Sequence, residues 1–140
     1  MALTLTEADE LIQISKESNL RLAIGYSQRF NPKFAYVKKC IKEKKIGDPV
    51  CALVSRHITR GLGKKISSRI KLSPAAMEAT HDLDFVLWCM EPAKPIRVYS
   101  QTAYGAMQHE TGSADAQWLM ITMDNGVVLS VGAGWSMPPG

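Results

Sequence analysis

Four side chains that could do chemistry lie within seven residues of one another. Glu78, His81, Asp82 and Asp84 fall in a stretch whose apolar residues Leu83, Val86, Leu87 and Met90 recur at helical spacing. On a helix, positions 78, 81, 84 or 85 and 88 share one face, so the polar groups point away from the packing stripe. Carboxylates flanking His81 would orient its ring and favour the imidazolium, which is how a histidine is tuned as a general acid or base. The same residues also read as a solvated acidic turn that complements a helix N-terminus and does no chemistry. His with two carboxylates is a metal-ligand vocabulary too. His57 and His109, however, stand far off without ligand-spaced partners, so no metal site is expected.

A second group precedes it. Tyr26-Ser27-Gln28-Arg29-Phe30-Asn31-Pro32 puts an arginine at a strand-to-helix junction, the crevice where ligands of α/β sheets bind. Arg29 can equally pair with an acid while Phe30 covers the core. Gly61-Leu62-Gly63-Lys64-Lys65 resembles a phosphate cradle in composition only, and no Gly-x-Gly-x-x-Gly occurs in the 140 residues.

The elements that must position these groups follow from local signals. Thr6 reads as the N-cap of a short amphipathic helix that Ser18-Asn19 stops, and residues 20–26 read as a buried strand. Asn31-Pro32 opens a helix with Phe34, Val37 and Ile41 inward and Gly47 as its stop. Residues 50–58 form a strand with Val50, Ala52 and Val54 on one face. Residues 59–71 read as a long basic loop, and Ser73-Pro74 opens a helix running to Met90. Period-two patterns over 96–104, 117–123 and 127–135 give three more strands, the last two joined by the turn Asp124-Asn125-Gly126. The order predicts an α+β (α/β) fold with helices on one face of a mostly antiparallel open sheet.

Composition sets the bounds. With 46% apolar and 21% charged residues, the chain is an ordinary globular domain, and disorder or a disulfide scaffold is excluded. No apolar run reaches the ~18 residues of a membrane span, and residues 1–20 do not look like a signal peptide, so a soluble, cytoplasmic protein is expected. Cys40, Cys51 and Cys89 are expected to be reduced and mostly buried. The net charge of +4 conceals an asymmetry. Residues 29–71 hold 13 of the 17 Lys and Arg against only Glu43 and Asp48, a local +11, and the remainder is −7. An anionic ligand or nucleic acid would account for that, as would a solvated helix and loop. The basic segment matches no known nucleic-acid module.

Three stretches in order carry a resemblance. Gly25-Tyr26-Ser27-Gln28-Arg29-Phe30-Asn31-Pro32, then Lys45-Ile46-Gly47-Asp48-Pro49, then Thr80-His81-Asp82-Leu83-Asp84-Phe85-Val86-Leu87-Trp88 resemble the Gfo/Idh/MocA oxidoreductases: their G-[YF]-x-x-R-F-x-P signature, their IG-x-P turn and their His-x-x-Asp helix. The resemblance runs from about Leu5 to Trp135. It implies a two-domain dehydrogenase using NAD or NADP on a sugar, inositol or related polyol. Residues 1–28 would be the tail end of the Rossmann domain and residues 29–140 the C-terminal substrate-binding and oligomerisation domain. The family's glycine-rich cofactor loop and Glu-Lys-Pro tripeptide are absent, so the chain reads as a fragment, inactive alone and without a bound cofactor.

By the same resemblance, His81 matches the active-site histidine that binds the substrate hydroxyl as base or proton relay, Asp84 the acid three residues on, and Arg29 an arginine near the nicotinamide end of the cofactor. Met77 stands where the family usually has an acid, with Glu78 one residue further on the same helix face. The uncovered sheet face implies a homodimer or higher homo-oligomer packed sheet to sheet. The alternative is a non-catalytic basic domain for dimerisation or for an anionic ligand or nucleic acid.

Overall fold

The computed structural model describes residues 2–138. Helix α1 (Leu5–Glu17) starts two residues earlier than Thr6 implies. Thr4 is its N-cap: the Glu7 N–H donates to Thr4 Oγ1, and the Glu7 carboxylate accepts from the Thr4 N–H, a reciprocal box that Thr6 could not form. The Leu3 and Thr4 N–H groups, both donating to it, hold the Glu7 carboxyl below its usual pKa.

The run at 20–26 is not a strand. It joins no ladder of the described sheet, and Leu20, Leu22 and Ile24 are exposed. Apolar pattern alone does not make a strand, because the backbone also needs a ladder partner. A 3-10 turn (Ser27–Phe30) then leads to α2 (Pro32–Lys42), where Asn31 caps the Lys33 N–H as its Asn-Pro start predicts.

Strand β1 (Cys51–Thr59) begins one residue after the exposed Val50, and Ala52 and Val54 pack on the core. Residues 59–71 are not a loop, since Arg60–Ser67 form helix α3. Two glycines and a basic composition hid it. Gly63 serves close approach instead: a Cβ there would sit 2.5 Å from Trp135 Cβ. The expected 73–90 helix is two, α4 (Pro74–Met77) and α5 (Thr80–Met90). At the break the Ala79 N–H reaches five residues back to the Pro74 carbonyl, widening the turn.

Strands β2 (Pro95–Ala103), β3 (Ala116–Met123) and β4 (Val128–Met137) fall where period two put them. Helix α6 (Ala106–Thr111) between β2 and β3 was not anticipated. Its signals were Gly112 with φ 73°, which ends it, and Asp115, whose buried carboxylate accepts the N–H groups of Gly105 and Met107. The Asp124-Asn125-Gly126 turn joins β3 to β4 as expected, with Gly126 at φ 86°.

The sheet order is β1-β4-β3-β2. Both β4–β3 and β3–β2 are antiparallel, while β1 runs parallel to β4 from Cys51↔Val128. One face carries the core: Val86, Cys89 and Met90 of α5 pack on Ile121, Met123, Leu129, Val131 and Ala133. The other face is bare, with Leu53, Tyr99, Trp118 and Met120 exposed among the described residues. Cys40 and Cys89 are buried and Cys51 is exposed; all three are free thiols.

Candidate active site

The first turn of α5 gathers most of the groups singled out in the sequence. His81 is exposed at the second helical position, and its ring meets Tyr26 edge-on with centroids 6.2 Å apart. The Tyr26 hydroxyl lies 3.2 Å from Thr80 Oγ1. Together Ala23, Ile24, Gly25, Tyr26 and His81 line a cavity of about 280 Å³. The extended segment before the 3-10 turn therefore forms one wall and the histidine the other.

The carboxylates on either side of His81 are engaged by arginines. Arg29 holds Asp84 through Nε–Oδ2 at 2.9 Å and Nη2–Oδ1 at 2.6 Å. Arg56 holds Asp82 through Nε–Oδ2 at 2.6 Å and Nη2–Oδ1 at 2.8 Å. These are bidentate, charge-assisted contacts, the strongest class of protein hydrogen bond. They push both guanidinium pKa values up, chiefly through the hydrogen bond to the aspartate in each case. Arg29 also lies over the Trp88 ring at 5.6 Å, and Lys38, which donates to the Trp88 carbonyl, approaches the same ring at 5.8 Å.

His81, Asp84 and Arg29 thus come together as a unit around Tyr26. Glu78 does not share a helix with them. It is the C-cap of α4, and its charge adds a minor part to the upward shift of the Arg56 guanidinium. The widened turn at Ala79 breaks the helical continuity on which the face-sharing of 78 and 81 depended. Arg56 was missed. Its signal was positional: it continues the inward row Ala52, Val54, Arg56 of β1, and an arginine in such a row needs an acid.

A family model, the GFO/IDH/MocA C-terminal domain, matches residues 34–140. The chain belongs to this family. No curated protein matches the sequence. Among solved structures, myo-inositol 2-dehydrogenase from Lactobacillus plantarum superposes with a TM-score of 0.84 at 18% identity, over 99% of this chain and 43% of that one. The WlbA dehydrogenase from Bordetella pertussis, in complex with NADH and UDP-GlcNAcA, gives 0.81 at 19% identity, over 99% and 43%. Scyllo-inositol dehydrogenase from Lactobacillus casei, with bound NAD(H) and scyllo-inositol, gives 0.74 at 20% identity, over 96% and 42%. At these identities the likeness shows the fold. The chain spans about two fifths of the length of those three dehydrogenases.

The residues present do not by themselves form a dinucleotide site. No glycine-rich phosphate cradle occurs in the sequence, and the guanidinium of Arg29 is committed to Asp84. Among the described residues no helix is long and apolar enough to cross a membrane.

Proposed function

We propose that this chain is the substrate-facing part of an NAD(P)-dependent dehydrogenase that oxidises a hydroxyl of a sugar, inositol or related polyol. The observation that carries the reading is the exposed His81 on the wall of the Gly25–Tyr26 cavity, at the head of a helix tied on both sides. Family membership supports it. Oxidising a carbinol requires a base to take the hydroxyl proton as the C–H hydride leaves, and an imidazole nitrogen of His81 is the group placed to do so. The nicotinamide, held by residues outside these 140, supplies the hydride acceptor. The 140 residues alone are expected to be inactive.

Two further parts belong to this reading. Residues 1–28 complete the dinucleotide-binding unit, which accounts for α1 having no buried residue and for the exposed Leu11, Ile12, Leu22 and Ile24 around a surface cavity of about 290 Å³. Residues 29–140 bind substrate and pair with a second copy through the bare sheet face. The reading as a nucleic-acid-binding domain loses support because seven of the basic side chains in 29–71 are already in ion pairs.

The test is steady-state turnover of the full-length protein with NAD or NADP against inositols and sugars. His81→Ala is expected to lower kcat by roughly 10²–10⁴, the usual size of a general acid–base contribution. Wild-type turnover in that variant removes the assignment.

A further inference from the structure

We propose that Arg29 and Arg56 are positioning residues that clamp α5 from two sides, through Asp84 and Asp82, and so set the direction in which His81 leaves the helix. The inference rests on His81 being the base.

Geometry carries it. At about 100° per residue, Asp82 and Asp84 lie about 100° to one side of His81 and about 60° to the other around the helix axis. The histidine therefore projects between two tethered carboxylates. The tethers lead to different parts of the fold: Arg56 belongs to sheet strand β1, and Arg29 to the 3-10 turn whose preceding segment forms the opposite wall of the cavity. Rotation of α5 in either direction stretches one of them. Both aspartates are largely covered, with side chains 7% and 18% exposed for Asp84 and Asp82. A planar guanidinium fork meeting a carboxylate through two parallel bonds fixes orientation as well as distance, which a lysine ammonium does not.

The head of this helix is also anchored by the buried Ala79 and by Thr80 against the Tyr26 hydroxyl, but Ala79 at the N-cap offers no side-chain acceptor, so the two aspartates carry the charged tethers on either side of His81. Asp84 on this account acts through His81 and not on the substrate.

Arg29→Lys and Arg56→Lys keep the charge and remove the fork. In the full-length protein each is expected to lower kcat by about tenfold with KM within about twofold, because a small misplacement of a catalytic group costs rate more than binding. Asp84→Asn should behave like Arg29→Lys and leave both limbs of the pH–rate profile in place, since the titrating base is untouched. Loss of a limb in Asp84→Asn would make the carboxylate itself the proton carrier and overturn the proposal, as would wild-type kcat in both lysine variants.

A second readout does not need activity. In the 140-residue chain, the imidazole ¹⁵N signals of His81 are expected to broaden or double in either lysine variant while the amide spectrum stays folded. Sharp, unshifted His81 signals in both variants overturn the clamp. Should Arg29→Lys unfold the chain, Arg56→Lys decides alone. If the full-length wild type transfers no hydride, the functional reading falls, and the imidazole signals still decide the clamp.

Discussion

His81, Asp84 and Arg29 can be grouped in the sequence because their spacing resembles a family pattern, and the fold links them through Tyr26: Arg29 pairs with Asp84 and its backbone N–H donates to the Tyr26 carbonyl, while His81 meets the Tyr26 ring. What their carboxylates do was not legible. Asp82 pairs with a residue 26 positions earlier, and only the register of β1 places that residue on the inward face. The shared helix face expected for Glu78 and His81 fails for a similar reason: a helix face can be drawn over residues that straddle a break. Cys89 offers a test at this scale. Burial among core residues pushes its thiol above the usual 9.0, with the nearby Lys38 opposing. The folded state therefore holds the proton more tightly than the unfolded chain does. Its stabilising contribution is complete below about pH 9, and it is lost as pH rises past the unfolded value toward the folded one. Urea unfolding of wild type and Cys89→Ala at several pH values is expected to show their stability difference shrinking above about pH 9. A pH-independent difference would show that the thiol stays equally protonated in both states.

Elements that rely on local chemistry were readable, and those that rely on distant contacts were not. Asn31-Pro32, Ser73-Pro74 and Asp124-Asn125-Gly126 each did what such sequences do. Residues 20–26 have a strand's pattern and no ladder, and α3 has a loop's composition and a helix's hydrogen bonds. What holds α3 is its seat on Trp135 and the Lys64–Glu110 pair to α6, neither visible in a window of ten residues. Its two glycines should respond oppositely to alanine. At Gly61 a Cβ meets nothing within 4 Å, so the gain in helix propensity, up to about 1 kcal/mol, should appear as added stability. At Gly63 the same gain is outweighed by overpacking against a fully buried tryptophan, on the order of 1–3 kcal/mol. Urea midpoints shifting in opposite directions for Gly61→Ala and Gly63→Ala are the expected result. Equal shifts would mean that α3 does not seat on Trp135 as described.

Across the whole molecule, part of the charge asymmetry is matched internally. Asp82, Asp84, Glu91 and Glu110 from the acidic remainder reach Arg56, Arg29, Lys38 and Lys64 of the basic segment, so four of its eleven excess positive charges are met within the fold. Charge in sequence is thus a poor guide to charge at a surface here, and the feature that asks for a partner is apolar. On the bare sheet face Leu53, Ser130, Met120 and Tyr99 form one cross-strand row. Leu53 is 80% exposed, Tyr99 63% and Met120 45%. In the next row the Trp118 indole lies against Gly132, where a Cβ would come within 3.1 Å of its Nε1. Such a flat apolar platform on a sheet suits a second sheet about 10 Å away, and a two-fold axis lets one patch serve both copies. Leu53→Lys with Met120→Lys places two charges in the centre of that patch, where burial without partners is costly. Both side chains point away from the core, so the fold should survive. Sedimentation equilibrium is expected to show an oligomer for wild type and a monomer for the double variant at the same concentration. A monomeric wild type, or a double variant that still associates, would mean that the sheet face is not where copies of this chain meet.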